Sequence, residues 1–224
     1  MKNNLLFATI IFFTLCLSFS SCKKAETDDK FSEDIQNLVP DSLLQAIIDL
    51  GMPINEGKTP PSIENIYLAS PFELIASNRA GDVVGNVFSD LKIEFTNQDN
   101  DKLTVTVNYV NGPEKGEGLG SFMSGSGNNF SVFVEQVSYI SGYRADLVQI
   151  ISGTKTSSGI KDLYYALFMI NNYDNPGGVW IENGEGRIVY DSDGLSPIIE
   201  SLTSFDKGNS ENILNISSAM SIRK

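Results

Sequence analysis

Between Leu91 and Tyr109 apolar and polar residues alternate with a period of two, a pattern that no helix can bury on one side. Leu91, Ile93 and Phe95 alternate with Lys92, Glu94 and Thr96, and after a turn-rich run at 97–101 the pattern resumes as Leu103, Val105, Val107 and Tyr109. Successive side chains of a strand point to opposite faces, so the spacing predicts an antiparallel hairpin with one buried face. A second hairpin follows, with 119–124 turning through 125–129 into Phe130, Val132 and Val134. Further strands are predicted at 66–76, 143–152, 160–170 and 186–190. The strand at 160–170 is apolar on both faces through Leu163, Tyr164, Tyr165, Leu167, Phe168 and Met169, as expected of the most buried strand or of one lining a cavity.

Seven or eight short strands joined by tight turns imply a mainly β fold. The expected architecture is an antiparallel up-and-down barrel of about eight strands; a β-sandwich is the alternative. One N-terminal helix is predicted. Pro40-Asp41-Ser42 offers its start, Leu43, Leu44, Ile47, Ile48 and Leu50 share one side at helical spacing, and Gly51 ends it. Its expected role is a lid on one end of the sheet. Pro53, Gly57, Pro60 and Pro61 then mark a rigid loop.

The first residues follow a different physics. Met1-Lys2-Asn3-Asn4 is a short positive segment, 5–17 is an almost unbroken apolar run, and small residues lead up to Cys22. The run is shorter than the roughly 20 residues of a membrane span, and it ends in a processing site. This reads as an export signal over 1–21. An acidic tether is expected over 22–34, the helix and loop over 35–62, the barrel over 63–194 and a C-terminal extension over 195–224.

Composition removes several chemistries. The chain has no His, which excludes Ser-His-Asp and Cys-His catalysis, His-ligated metal sites and an imidazole proton shuttle. Its two cysteines, Cys16 and Cys22, fall at the export signal, which leaves the folded part no disulfide and no thiol nucleophile. A net charge of −12 argues against nucleic acid, because counterion release needs clustered Lys and Arg.

The stretch Ser20-Ser21-Cys22-Lys23-Lys24 resembles the lipobox of Bacteroidetes-type lipoproteins. That resemblance implies a covalent lipid at Cys22 (diacylglyceryl and a palmitate-like acyl chain), a membrane partner reached through the anchor, and residence at the outer membrane. Acidic Glu26, Asp28 and Asp29 resemble the tag that sends such proteins to the cell surface. The strand succession resembles lipocalin-like, or calycin-like, barrels. Segments such as Gly57-Lys-Thr-Pro-Pro-Ser-Ile-Glu-Asn-Ile-Tyr67 and Ser124-Gly-Ser-Gly-Asn-Asn-Phe130 look like those of uncharacterised lipoproteins of that type.

For function two classes are open. The favoured one is a non-enzymatic binding or structural module for a small apolar ligand, a glycan or an envelope protein, with Tyr109, Phe133, Tyr164 and Phe168 as candidate cavity residues. The other is a carboxylate-dependent glycan hydrolase using Glu135, Asp146 or Asp162, which requires two convergent carboxyls. No cofactor is expected beyond the lipid. Asp191 and Asp193 resemble part of a calcium loop, although position 1 of such a loop falls on Val189 and a strand-ending Asx turn is the default. Gly116-Glu117-Gly118-Leu119-Gly120 mimics a phosphate loop but lacks the Lys-Ser/Thr ending, so a glycine-tolerant strand is expected. The tail from 195 onward is expected to hold a helical turn at 197–202 and an edge strand at 213–222.

Overall fold

The computed structural model describes residues 30–202 apart from residue 113. The expected export signal at 1–21, Cys22, residues 23–29 and the strand expected at 213–222 lie outside the described residues. The elements are α1 (Glu33–Leu38), α2 (Asp41–Asp49), β1 (Lys58–Thr59), β2 (Asn65–Ala69), β3 (Phe72–Ser77), β4 (Val87–Phe88), β5 (Leu91–Asp99), β6 (Thr104–Asn111), β7 (Glu114–Ser126), β8 (Asn129–Ile140), β9 (Tyr143–Lys155), β10 (Gly159–Asn171), β11 (Gly186–Asp191) and β12 (Leu195–Pro197).

All twelve strands belong to one sheet, which corrects the sandwich alternative: there is no second sheet among the described residues to pack against. Ten strands follow the order β2-β5-β6-β7-β8-β9-β10-β11-β3-β4, and every pair on that path is antiparallel. The sheet curls so that its outer members meet: Tyr67 of β2 bridges Ile198 beyond β12, and Ile199 N–H donates to Ile66 C=O at 2.9 Å. β12 in turn pairs with β10, and β1 joins β7 in parallel.

The strand count exceeds the expected eight through one divided strand, one continuation past a turn and the two-residue strands β1 and β4. The expected strand at 66–76 divides into β2 and β3 at a cis Ser70-Pro71 bond. The last expected strand, 186–190, is β11; beyond the turn 192–194, where Gly194 N–H returns to Asp191 C=O, β12 continues its line. β12 carries the sheet past residue 194, and its last residue Pro197 and the bridge at Ile198 stand where a helical turn was expected over 197–202.

Two helices stand where one was predicted. Ser32 Oγ caps α1 by accepting the Ile35 N–H, and Glu33 and Asp34 in the first turn suit the helix dipole. Val39 then turns extended, as a residue before proline must, and α2 restarts after Pro40. α1 begins two residues inside the stretch assigned to the tether.

Neither helix caps an end of the sheet, which corrects the expected lid. Ile35, Val39, Ile47 and Met52 pack on the outer face against Phe133, Val148, Ile150, Phe168 and Ile188. Register explains the surface they find: Phe133, Ile150, Ala166, Ile188 and Ala76 are successive partners across β8, β9, β10, β11 and β3, a continuous apolar row. Phe31 reaches the same row, its ring 5.9 Å from that of Phe133 at 75°. With about 1.5–3 kcal/mol for each large side chain buried, the helices remove an apolar outer face that would otherwise invite association. Inside the curl, Val132, Val134, Ile151, Tyr165, Leu167 and Val189 form the main core.

Candidate functional site

The meander gives the curled sheet two distinct ends. At the lower end lie the hairpin turns 100–103, 127–128 and 156–158; at the upper end lie the turn 141–142 and two long loops, 78–86 and 172–185.

The lower end is filled. Phe95 on β5 meets Phe130 on β8 with centroids 6.2 Å apart at 78°, and since β6 and β7 separate these strands, the contact spans the interior. Tyr67 packs on Phe95 at 6.1 Å and donates its hydroxyl to Ile63 C=O at 2.9 Å. Burial pushes the Tyr67 phenol up to about 12, against the smaller opposing effect of Asn65. Lys155 Nζ sits 5.4 Å from the Tyr67 ring centre. Every polar group named here has a partner.

The upper end is polar and incompletely partnered. Arg187 faces inward from β11, between Leu167 on β10 and Ser77 on β3. Its Nε and Nη2 each donate to Asp82 at 2.6 Å, and Ser77 Oγ donates to the same carboxylate at 2.6 Å. Burial opposes ionisation of Asp82, but the hydrogen bonds from Arg187 and Ser77 outweigh it and hold the carboxyl below the ordinary range. Arg79 lies 3.7 Å from the same carboxylate. Burial and the charge of Arg187 lower the Arg79 pKa, while Asp82 and Glu185 counter the fall. Arg187 Nη1 is buried without a hydrogen-bond partner among the described residues.

One strand pair away on the same inner row, Gln149 reaches across the interior to the Tyr109 hydroxyl at 3.3 Å and donates to Gln136 Oε1 on the adjacent strand, and its own Oε1 is buried without a partner among the described residues. The Tyr109 ring lies over Gly116, where a Cβ would collide with it, and so accounts for one glycine of the phosphate-loop mimic. The loop 172–185 closes over this end by burying Trp180 and Ile181. Asn172 donates to Ile181 C=O, Asn175 accepts the N–H groups of Val179 and Trp180, and Trp180 Nε1 donates to Tyr143 C=O at 3.1 Å.

On the outer rim of the same end, Tyr139 and Arg144 are direct partners across the β8–β9 hairpin, beside Val137 and Asp146. Arg144 Nε donates to Asp146 at 2.8 Å, Tyr173 donates its hydroxyl to the other Asp146 oxygen at 2.5 Å, and the guanidinium stacks 5.2 Å above the Tyr173 ring. Tyr139 is 65% exposed and Tyr173 42%. Tyr173, Asp174 and Asn175 are consecutive residues with positive φ (52°, 62° and 47°), a conformation costing of order 1 kcal/mol or more at each non-glycine.

Of the predicted cavity residues, only Tyr109 faces the interior. Phe133, Tyr164 and Phe168 lie on the opposite face in the cluster under the helices, so the four line no common cavity. The reason is parity: Tyr164, Ala166 and Phe168 alternate with the inward Tyr165 and Leu167. Asp191 is fully buried and accepts the Ser70 N–H at 3.0 Å and the Ser196 hydroxyl at 2.5 Å, joining the break between β2 and β3 to the turn between β11 and β12. Burial raises its pKa despite the Ser196 bond. Asp193 accepts the Leu195 N–H, an Asx turn. Among the described residues no group of three or more His, Cys, Asp or Glu could hold a metal ion. Glu135 is exposed, and Asp162 accepts from Tyr190 at 3.0 Å, so neither meets Asp146 at a shared cleft. Arg187, Asp82 and Gln149 are not among the residues that the sequence nominates. A signal existed: Arg187 is a lone basic residue in the strand 186–190, and Gln149 interrupts an apolar run.

No family model, no curated protein and no solved structure matches this chain. Among the described residues no helix is long and apolar enough to cross a membrane.

Proposed function

We propose that the protein is a non-enzymatic binding module, an outer-membrane lipoprotein anchored through a covalent lipid at Cys22, that presents the upper end of a lipocalin-like barrel away from the membrane. The observation that carries the reading is where the chain enters the fold. Lys30 C=O accepts the Gly57 N–H at 3.1 Å, and Gly57 C=O in turn accepts from Gly125 beside the 127–128 turn, so the N-terminal segment leaves from the lower end. Eight residues from Cys22 reach at most about 28 Å, whereas a thirteen-residue strand such as β9 spans about 43 Å. An anchor at Cys22 thus holds the filled end near the lipid and the polar end outward.

The eight-stave barrel is supported by the pairings: β2 with β3, β4 with β5, and β11 with β12 are consecutive pieces of three staves, and joining them turns the path into a ring. The non-enzymatic reading is supported by the three candidate carboxylates: Glu135 faces outward, and Asp146 and Asp162 are held by partners. A small ligand, a glycan or an envelope protein would be met at the upper end.

The test places a fluorophore on Asn128→Cys at the lower end and on Ser141→Cys at the upper, in the full-length protein on vesicles carrying nitroxide headgroups. Strong quenching at 128 and little at 141 is the expected result; equal or reversed quenching overturns the orientation. Replacing Cys22 with Ser releases the protein from the membrane, and a variant that stays bound overturns the anchor.

A further inference from the structure

We propose that the rim face formed by Val137, Tyr139, Arg144, Asp146 and Tyr173 is a platform for a neutral saccharide. The inference rests on the upper end being the recognition end and names the ligand class it takes. The argument begins with what is exposed and why it stays ordered. Two tyrosine rings and Val137 stand open to solvent on one side of a strand pair, an arrangement that costs apolar hydration unless something covers it. Tyr173 is nevertheless fixed: its hydroxyl is tied to Asp146, the Arg144 guanidinium covers one face of its ring, and three successive positive-φ residues hold its backbone. Strained backbone persists only where surrounding contacts impose it, here the Asn175 bonds that close the loop over Trp180. The aromatic surface is preorganised, which lowers the ordering cost of binding.

The chemistry beside the rings selects the occupant. A pyranose offers an apolar C–H face ringed by hydroxyls, so it asks for an aromatic ring flanked by hydrogen-bonding groups. Arg144 engages Asp146 through Nε alone, leaving its two Nη groups, in a fixed planar fork, to meet adjacent hydroxyl oxygens. Each Asp146 oxygen accepts one bond and has a lone pair left for a sugar hydroxyl. The guanidinium and carboxylate cancel, so the platform carries no net charge, and a chain of net charge −12 repels polyanions. A neutral saccharide satisfies all three conditions; a sulfated glycan, an anionic membrane or nucleic acid fails the last.

The fold supplies a reporter. Trp180 is the only tryptophan, and its Nε1 is bonded to Tyr143 at the tip of the same hairpin. The experiment titrates the full-length protein, in a sugar-free detergent, with β1,4-glucan, β1,4-N-acetylglucosamine, β1,4-xylan and α1,6-mannan tetrasaccharides, read by calorimetry and Trp180 fluorescence. At about 10 mM saccharide even a complex with Kd ~1 mM is about nine-tenths formed. Binding of at least one saccharide is expected, weakened about tenfold or more by Tyr139→Ala and by Arg144→Ala and unchanged by Val84→Ser on the other upper loop. Tyr173→Phe keeps the ring while freeing Asp146 and is expected to weaken binding less than Tyr139→Ala. If no tetrasaccharide binds, or if binding is indifferent to Tyr139→Ala, the platform assignment is overturned. Since these titrations need no membrane, such a failure leaves the vesicle quenching result, and the orientation it tests, standing. Capture of a second protein through Tyr139 with no saccharide binding would also overturn it, in favour of a protein-docking face.

Discussion

The two ends of the sheet are built from the same alternating strands, yet they solve burial in opposite ways. At the lower end Phe95, Phe130 and Tyr67 meet across the interior, and the Tyr67 hydroxyl closes on Ile63 C=O. At the upper end Arg187 and Asp82 are buried together with side chains only 7% and 10% exposed, and Arg187 Nη1 and Gln149 Oε1 have no hydrogen-bond partner among the described residues. Ring packing stabilises without conditions, whereas a buried ion pair must recover two desolvation costs and often does no better than break even. The difference teaches that the lower end is built for stability and the upper end for something else.

The largest expected effect comes from breaking the end built for stability. Phe130→Ala should cost about 3–5 kcal/mol, because the cavity it leaves cannot collapse around a cross-interior contact; urea unfolding measures it. A loss under about 1 kcal/mol would mean that the lower end is not the stability anchor. Next, Asp82→Asn should cost about 3 kcal/mol by leaving Arg187 and Arg79 buried without their shared carboxylate. The paired replacement Asp82→Leu with Arg187→Met should regain most of that loss. A double variant as unstable as the single would show that the ion pair is needed for folding after all, and the contrast between the ends would blur.

Two buried carboxylates sharpen the comparison through pH. The Asp82 pKa is lowered in the fold, so its contribution is present above the unfolded carboxylate value of about 4 and is lost as pH falls through the folded value. Asp191, held by neutral groups, has a raised pKa, so its contribution is present below about 4 and is lost as pH rises through the folded value. Melting temperature against pH should therefore lose its acid-side fall in Asp82→Asn. In Asp191→Asn it should lose its decline above pH 4 instead. The smallest effect is expected of Trp180→Phe, which removes one hydrogen bond to Tyr143 C=O. It should cost about 1 kcal/mol by thermal unfolding and speed hydrogen exchange in the loop 172–185 alone.

Legibility in the sequence followed the same physics. The hairpins at 91–109 and 119–134 could be read because alternation is a local property and a one-residue slip would turn every apolar side chain outward. Helix α2 could be read because its apolar residues share a stripe; its docking place could not, since only register shows that Phe133, Ile150, Ala166 and Ile188 line up on the outer face. The same blindness explains the cavity residues. Aromatic content nominated Tyr164 and Phe168 alongside Tyr109, but parity along β10 sends those two outward. The sequence neighbours of Asp191 resemble a calcium loop, while its partners Ser70 and Ser196 include one 121 positions away.

By itself the sequence determined a mainly β chain, its turns and the absence of imidazole chemistry, because periodicity, turn residues and composition act over a few residues at a time. Only the tertiary structure decided which end is filled, which charges are buried together and which tyrosines stand exposed. Those depend on which strand lies beside which, and pairing across Arg187, Leu167 and Gln149 joins residues that no local pattern relates.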